Sequence, residues 1–185
     1  MTQAYVLQCY VWLVDSEPPI WRRFQISDQL TLTSLHTVLQ VVMGWQQSHL
    51  YDFEVKGDRY AAPSPMPLTD TLDATTQMLA DLQLGEGAKF LYTYDFGDGW
   101  LHQITVENKS VIEPETELPI CLDGERACPP ENSGGVWGYE ELLERLNDPE
   151  DPEYEELLEW IGLEFDPDAF DHQQINQRLQ RLQGV

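Results

Sequence analysis

The sequence predicts an α+β protein: a mixed, largely antiparallel sheet of about six strands, with helices on one face and an acidic helical segment towards the C-terminus. Three observations carry this expectation. Runs rich in Val, Ile, Tyr, Phe and Trp recur in pairs through residues 1–107, a strong helical stripe separates the first two pairs, and three further stripes follow residue 139.

The first pair is Tyr5 to Val14 and Ile20 to Ile26. The breaker DSEPP lies between them, because Pro18 and Pro19 cannot both sit inside a ladder. Alternation puts Arg22 and Arg23 on opposite faces of the second run. Such an arginine is expected to be exposed strand charge, with a carboxylate pair or a crossing of the sheet edge as alternatives. TLTSLHTVLQVVMGW predicts a helix, with Leu32, Leu35, Leu39 and Val42 as its stripe, Thr31 or Thr33 as cap and Gly44 as its left-handed end. His36, beside that stripe, is expected to be structural.

HLYDFEVKGDRY alternates and turns at Lys56-Gly57-Asp58, the pattern of a hairpin. AAPSPMPLTD predicts a proline-rich loop, and a short helix is expected near Thr76 to Leu82. KFLYTYDF and WLHQITVE form the last pair around Gly-Asp-Gly, with Phe90, Tyr92, Tyr94 and Phe96 on one face.

The chain is expected to be a single domain over 1–185: a strand-rich core (1–107), an irregular Gly/Pro/Cys loop (108–138) and an acidic helical segment (139–185) packed on the core. The helical stripes are Tyr139, Leu142, Leu143 and Leu146, then Tyr154, Leu157, Leu158 and Ile161. The last is Ile175, Leu179 and Leu182, opened by Asp171 with Gln174 at capping-box spacing.

Net charge is −23, and residues 107–185 hold 21 of the 33 acids but 5 of the 10 Lys and Arg residues. A field of that sign repels phosphate backbones and anionic bilayers, so a protein partner is favoured over direct nucleic-acid or membrane binding. No run approaches the roughly 18 apolar residues of a membrane span. The start lacks a basic leader, and Cys9, Cys121 and Cys128 are an odd set without an expected disulfide; cytoplasmic residence is the expectation.

Three segments hold residues that could converge on a site: His49 and Asp52 after the first helix, Asp95, Asp98 and His102 around Gly-Asp-Gly, and Cys121, Cys128 and Glu131 in CLDGERACPPENSGG. The candidate pocket is therefore His49, Asp52, Asp95, Asp98, His102 and Glu131. Histidine, thiolate and carboxylate from separate loops suit zinc or iron, and His49, His102 and Cys128 are the ligands to test first. Spacing gives that idea no help, since neither C-x₂-C nor H-x₃-H occurs. Asp98 and its glycines are also what a tight turn demands. His102 shares parity with Trp100 and Ile104, which predicts a buried, hydrogen-bonded imidazole. Two glycines precede the helix in NSGGVWGYEE, but no Walker lysine accompanies them.

PPIWRRFQI, LHTVLQVVMGWQQSHLYDF, YDFGDGWLHQITVE, CLDGERACPPENSGGVWGYEELLERL and FDPDAFDHQQIN together resemble the plasmid pRiA4b ORF-3-like family, in its order and over nearly the whole chain. The resemblance implies a compact α+β domain, sometimes carried on plasmids and insertion elements, without an assigned activity. The family often reads His-Leu-His where this chain has His49-Leu50-Tyr51, and Pro-Pro-Glu-Asp-Cys-Gly-Gly where it has Pro129 to Gly135. Both departures remove groups that could ligate a metal. The leading expectation is a non-enzymatic binding or accessory domain associated with plasmids or mobile elements. The alternatives are a metal-dependent enzyme with a His/Asp/Cys site and an acidic DNA mimic that binds a DNA-handling protein.

Overall fold

The computed structural model describes residues 3–64 and 69–182. Its strands are β1 (Tyr5–Leu13), β2 (Trp21–Ser27), β3 (Tyr51–Val55), β4 (Asp58–Ala61), β5 (Thr71–Asp73), β6 (Lys89–Tyr94), β7 (Trp100–Val111) and β8 (Ile120–Glu125). They form one sheet in the order β5-β4-β3-β6-β7-β1-β2-β8, antiparallel except for the β4–β5 pair. Four α-helices accompany it: α1 (Leu32–Met43), α2 (Gly135–Leu146), α3 (Tyr154–Ile161) and α4 (His172–Leu179).

Alternation decides which face is covered. Leu7, Cys9, Val11 and Leu13 of β1, Phe24 and Ile26 of β2, and Phe90, Tyr92 and Tyr94 of β6 all point into the core beneath the helices. A register shift after Gln8 keeps β1 in step with β7 despite its extra residue. On the opposite, half-open face Arg23 donates to both oxygens of Glu107 and lies over the rings of Tyr10 and Trp21.

The first helix forms where its stripe and caps predict. Thr31 accepts from the Ser34 N–H, and Gly44, at φ 117°, returns its N–H to Gln40. Leu32, Leu35, Val38, Leu39 and Val42 are fully buried by it. His36 is structural: the Tyr92 hydroxyl accepts from Gln40 and meets His36 Nδ1 at 2.7 Å, while the His36 ring stacks on Tyr51.

Three expectations about the elements change. The sheet has eight strands rather than about six, because β8 comes from a stretch that reads as irregular and β5 from residues between the expected loop and short helix. β8 lies inside the supposed irregular stretch 108–138, and β7 runs past the expected boundary at 107. Neither short segment reads as a strand by itself, since each is specified by its partner: Phe24 opposite Cys121 for β8, Arg59 opposite Thr71 for β5. The helix expected near Thr76 to Leu82 is a single 3₁₀ turn over Ala80–Leu82. There Asp73 accepts from the N–H and hydroxyl of Thr75, and the backbone of residues 77–80 bonds Asp28, Leu30 and Leu32 instead of itself. Residues 65–68 of the expected proline-rich loop lie outside the described residues.

Arg22 takes neither an exposed nor a carboxylate-paired place. It is 2% exposed and donates to the carbonyls of Trp21, Val42, Met43, Glu125 and Arg126, with the Phe170 ring 4.9 Å away. Two of those carbonyls close the last turn of α1, where the partial charge is negative. The arginine thus ties β2, the end of α1 and the exit of β8 together. Asn176 of α4 closes the free edge of β8 by accepting from the Cys121 N–H and donating to its carbonyl.

Candidate functional site

The site begins where α1 stops. Past Gly44 the chain reverses, and Trp45 folds inward against Tyr94 and Trp100. That leaves the backbone of residues 46–48 short of helical partners, and side chains from elsewhere supply them. The Gln46 N–H donates to Glu131 (2.8 Å), the Gln47 N–H to the Gln40 side chain (2.7 Å) and the Ser48 N–H to the Tyr94 hydroxyl (3.0 Å). Tyr94 in turn donates to Glu131 at 3.0 Å.

Asp95 follows Tyr94 in the left-handed region, at φ 54°, and opens the turn into β7. One of its oxygens accepts from the Gly97 N–H. The other lies 3.4 Å from His49 Nε2, which is also 3.7 Å from Glu131 Oε2. Asp98, at the tip of the same turn, accepts from the Gly134 N–H at 3.1 Å. Gly135 lies so close to the Asp98 carbonyl that a β-carbon there would collide with it, and its φ of 73° also favours glycine. Of the glycine pair in NSGGVWG, Gly135 therefore serves close packing against the turn and Gly134 donates to it.

Three loops are thus pinned together: residues 44–50, the turn 95–99 and the segment 128–135. The Asp95 and Glu131 side chains are 9% and 11% exposed, and that of His49 is 29% exposed. His49, Asp95 and Glu131 of the predicted set meet here, with Asp98 beside them. The other three predicted residues are elsewhere. His102 is completely buried, its Nε2 accepting from the Trp45 indole and its Nδ1 facing the Tyr92 carbonyl. Burial lowers its pKa to about 4, so it stays neutral. Asp52 points to the other face of the sheet and pairs with Arg59. Cys128 packs behind the α1 cap, where its β-carbon would lie 3.1 Å from one placed on Gly44. Burial pushes its thiol well above the ordinary range, which disfavours the nucleophilic thiolate.

The proposed ligand set of His49, His102 and Cys128 is accordingly not assembled. Among the described residues no three His, Cys, Asp or Glu side chains are arranged to hold a metal ion. What the cluster can do is hold charge: two carboxylates face one imidazole nitrogen, an ion pair whenever His49 is protonated. The nearby hydroxyls are committed, Ser133 to the Pro130 carbonyl and Ser48 to Tyr94. An acid–base group is present without an activated nucleophile beside it.

Sequence reasoning missed Tyr94 as the hub and Trp45 as the ring packed against Tyr94, Trp100 and His102. The available signal was the hydroxyl: a tyrosine rather than a phenylalanine on a core-facing parity needs a buried partner. On or directly after the segments that carry the cluster, Leu50, Phe96 and Trp137 are 52%, 39% and 77% exposed. They sit on touching segments. The Leu50 carbonyl accepts from the Asp95 N–H, Phe96 is the next residue, and Trp137 stands two positions after Gly135.

Fold and site define a class: an α+β protein with a one-sided, mostly antiparallel sheet, whose motif-bearing loops are joined by a tyrosine–carboxylate–imidazole cluster. The chain belongs to the plasmid pRiA4b ORF-3-like protein family, whose pattern matches residues 5–174. It is 38% identical over 181 residues to the uncharacterized protein y4hQ of Sinorhizobium fredii (strain NBRC 101917 / NGR234), covering 97% of this chain and 93% of that one. The crystal structure of the protein of unknown function MM3350 from Methanosarcina mazei Go1 superposes with a TM-score of 0.83 at 38% identity, over 93% of this chain and 98% of that one. No helix among the described residues is long and apolar enough to cross a membrane.

Proposed function

We propose that the chain is a binding or accessory protein rather than an enzyme, that it acts in the cytoplasm and that its partner is a protein. The observation that carries this reading is the exposure of Leu50, Phe96 and Trp137 on or directly after the pinned segments that hold His49, Asp95 and Glu131. Exposed aromatic side chains beside a rigid polar centre are the composition of a binding hot spot. The loops are held by hydrogen bonds from buried groups, so the surface needs little ordering when a partner arrives. Three free thiols, two of them buried, suit a reducing compartment. The family's description supports an association with plasmids or other mobile elements.

The test is affinity capture from a cell extract with the wild-type chain and with a Phe96→Ser/Trp137→Ala variant. Neither side chain belongs to the core, so the variant folds. A protein retained by the wild type at physiological salt and lost from the variant supports the reading. Identical capture by both, or none by either, contradicts it.

A further inference from the structure

A second surface lies on the acidic helices α2 and α3. α3 is amphipathic yet has no buried residue, because only part of its apolar stripe is covered by α2. Between α2, α3 and the following turn a groove of about 350 Å³ is lined by Leu143, Leu146, Leu158, Ile161 and Phe165, and by Arg126, whose charge is paired with Asp168. Leu158 also lines the adjoining hollow of about 360 Å³ on the outer side of α3, with Leu163 and the acids Glu155 and Glu159. Leu163 is 83% exposed and Trp160 50% exposed.

Charge limits what can cover this trough. Residues 140–168 hold thirteen acids and one base, Arg145. Arg145 is itself held by Asp151 and Glu153. Glu155 and Glu159 line the trough, and Glu156 and Glu164 stand exposed on the same helix and the turn after it. A second copy of a chain with net charge −23 would be repelled from such a face, as would a phosphate backbone. A basic segment would be drawn to it, and an apolar stripe on that segment would fill the hollows on either side of Leu158. We infer that the α2–α3 face is a docking groove for a basic amphipathic helix of a protein partner, with leucine-sized side chains seated along Leu158 and Leu163 and lysine or arginine facing the glutamates.

The probe is a fluorescein-labelled helical peptide of leucine and lysine, with leucines at i, i+3, i+4 and i+7, titrated into the full-length protein and followed by anisotropy. Leu158→Ser/Leu163→Ser is the decisive variant, because it removes apolar surface without changing charge. Leu163→Ser alone, at a nearly fully exposed position, guards against a folding defect. The expected result is saturable binding that weakens at least about tenfold in the double variant, several-fold in the single variant, and likewise for a peptide of the same composition with shuffled spacing. Equal affinity for wild type and both variants would overturn the inference, since charge alone would then hold the peptide. So would concentration-dependent dimerisation of the wild type abolished by Leu163→Ser, which would assign the groove to a second copy. Neither outcome depends on Phe96 or Trp137, so the groove and the loop surface stand or fall separately.

Discussion

The Tyr94 hydroxyl donates to the Glu131 carboxylate at 3.0 Å across 37 positions of sequence, and it accepts from the Ser48 backbone at the same distance. One hydroxyl therefore joins the end of β6 to two loops. Tyr94→Phe leaves the ring packing intact but orphans the Ser48 N–H. The expected cost is about 1–3 kcal/mol in urea unfolding, with faster amide exchange in residues 46–50. Unchanged stability together with unchanged exchange would show that the loops are held by other means.

The two neighbouring arginines of β2 should respond very differently to the same change. Arg22→Lys replaces five donors in a fixed fork by three on a flexible stem and leaves buried carbonyls unmatched. A loss of about 2–4 kcal/mol is expected. Arg23→Lys, on the half-open face beside Glu107, should cost less than about 1 kcal/mol. Equal effects in chemical denaturation would refute the assignment of Arg22 as the tie between β2, α1 and β8.

Acid should weaken the fold through two histidines. Burial lowers both His36 and His102 to about 4 from an ordinary 6.5. As pH falls, the unfolded chain takes up these protons first, so stability falls between about pH 6.5 and 4. Each histidine contributes a slope of about 1.4 kcal/mol per pH unit within that window and almost none above it. His36→Gln and His102→Gln should each remove one proton from the slope of unfolding free energy against pH. Slopes that match the wild type in both variants would mean that neither imidazole is held neutral.

Asn176 should protect the edge of the sheet. Its amide occupies both backbone groups of Cys121, as a further strand would. Asn176→Ala is expected to speed exchange of the Cys121 amide and to raise aggregation on heating, at a stability cost of about 1–2 kcal/mol. A Cys121 amide that stays equally protected would place the edge's cover elsewhere.

What the residues reveal unaided is local. Thr31, the stripe of α1 and Gly44 mark their helix because cap, period and stop lie within a dozen positions. The parity of His102 with Trp100 and Ile104 shows that its imidazole is buried. The same rule separates Asp52 from Tyr51 and Phe53, and it would have removed Asp52 from the candidate pocket. β8 escapes because its evidence is a partner about a hundred residues away, and Asn176 because an edge cap has no period. The meeting of His49, Asp95 and Glu131 is visible only as three motifs. Their convergence depends on β3 and β7 both flanking β6, a fact of topology.

The central claim is that the exposed side chains over the pinned loops bind a protein. Its most direct test is calorimetric titration of the captured partner, once purified, into wild-type protein and into Trp137→Ala. The expected result is an affinity at least about tenfold weaker for the variant, with a smaller negative heat-capacity change as apolar burial is lost. The same affinity for both proteins would contradict the claim.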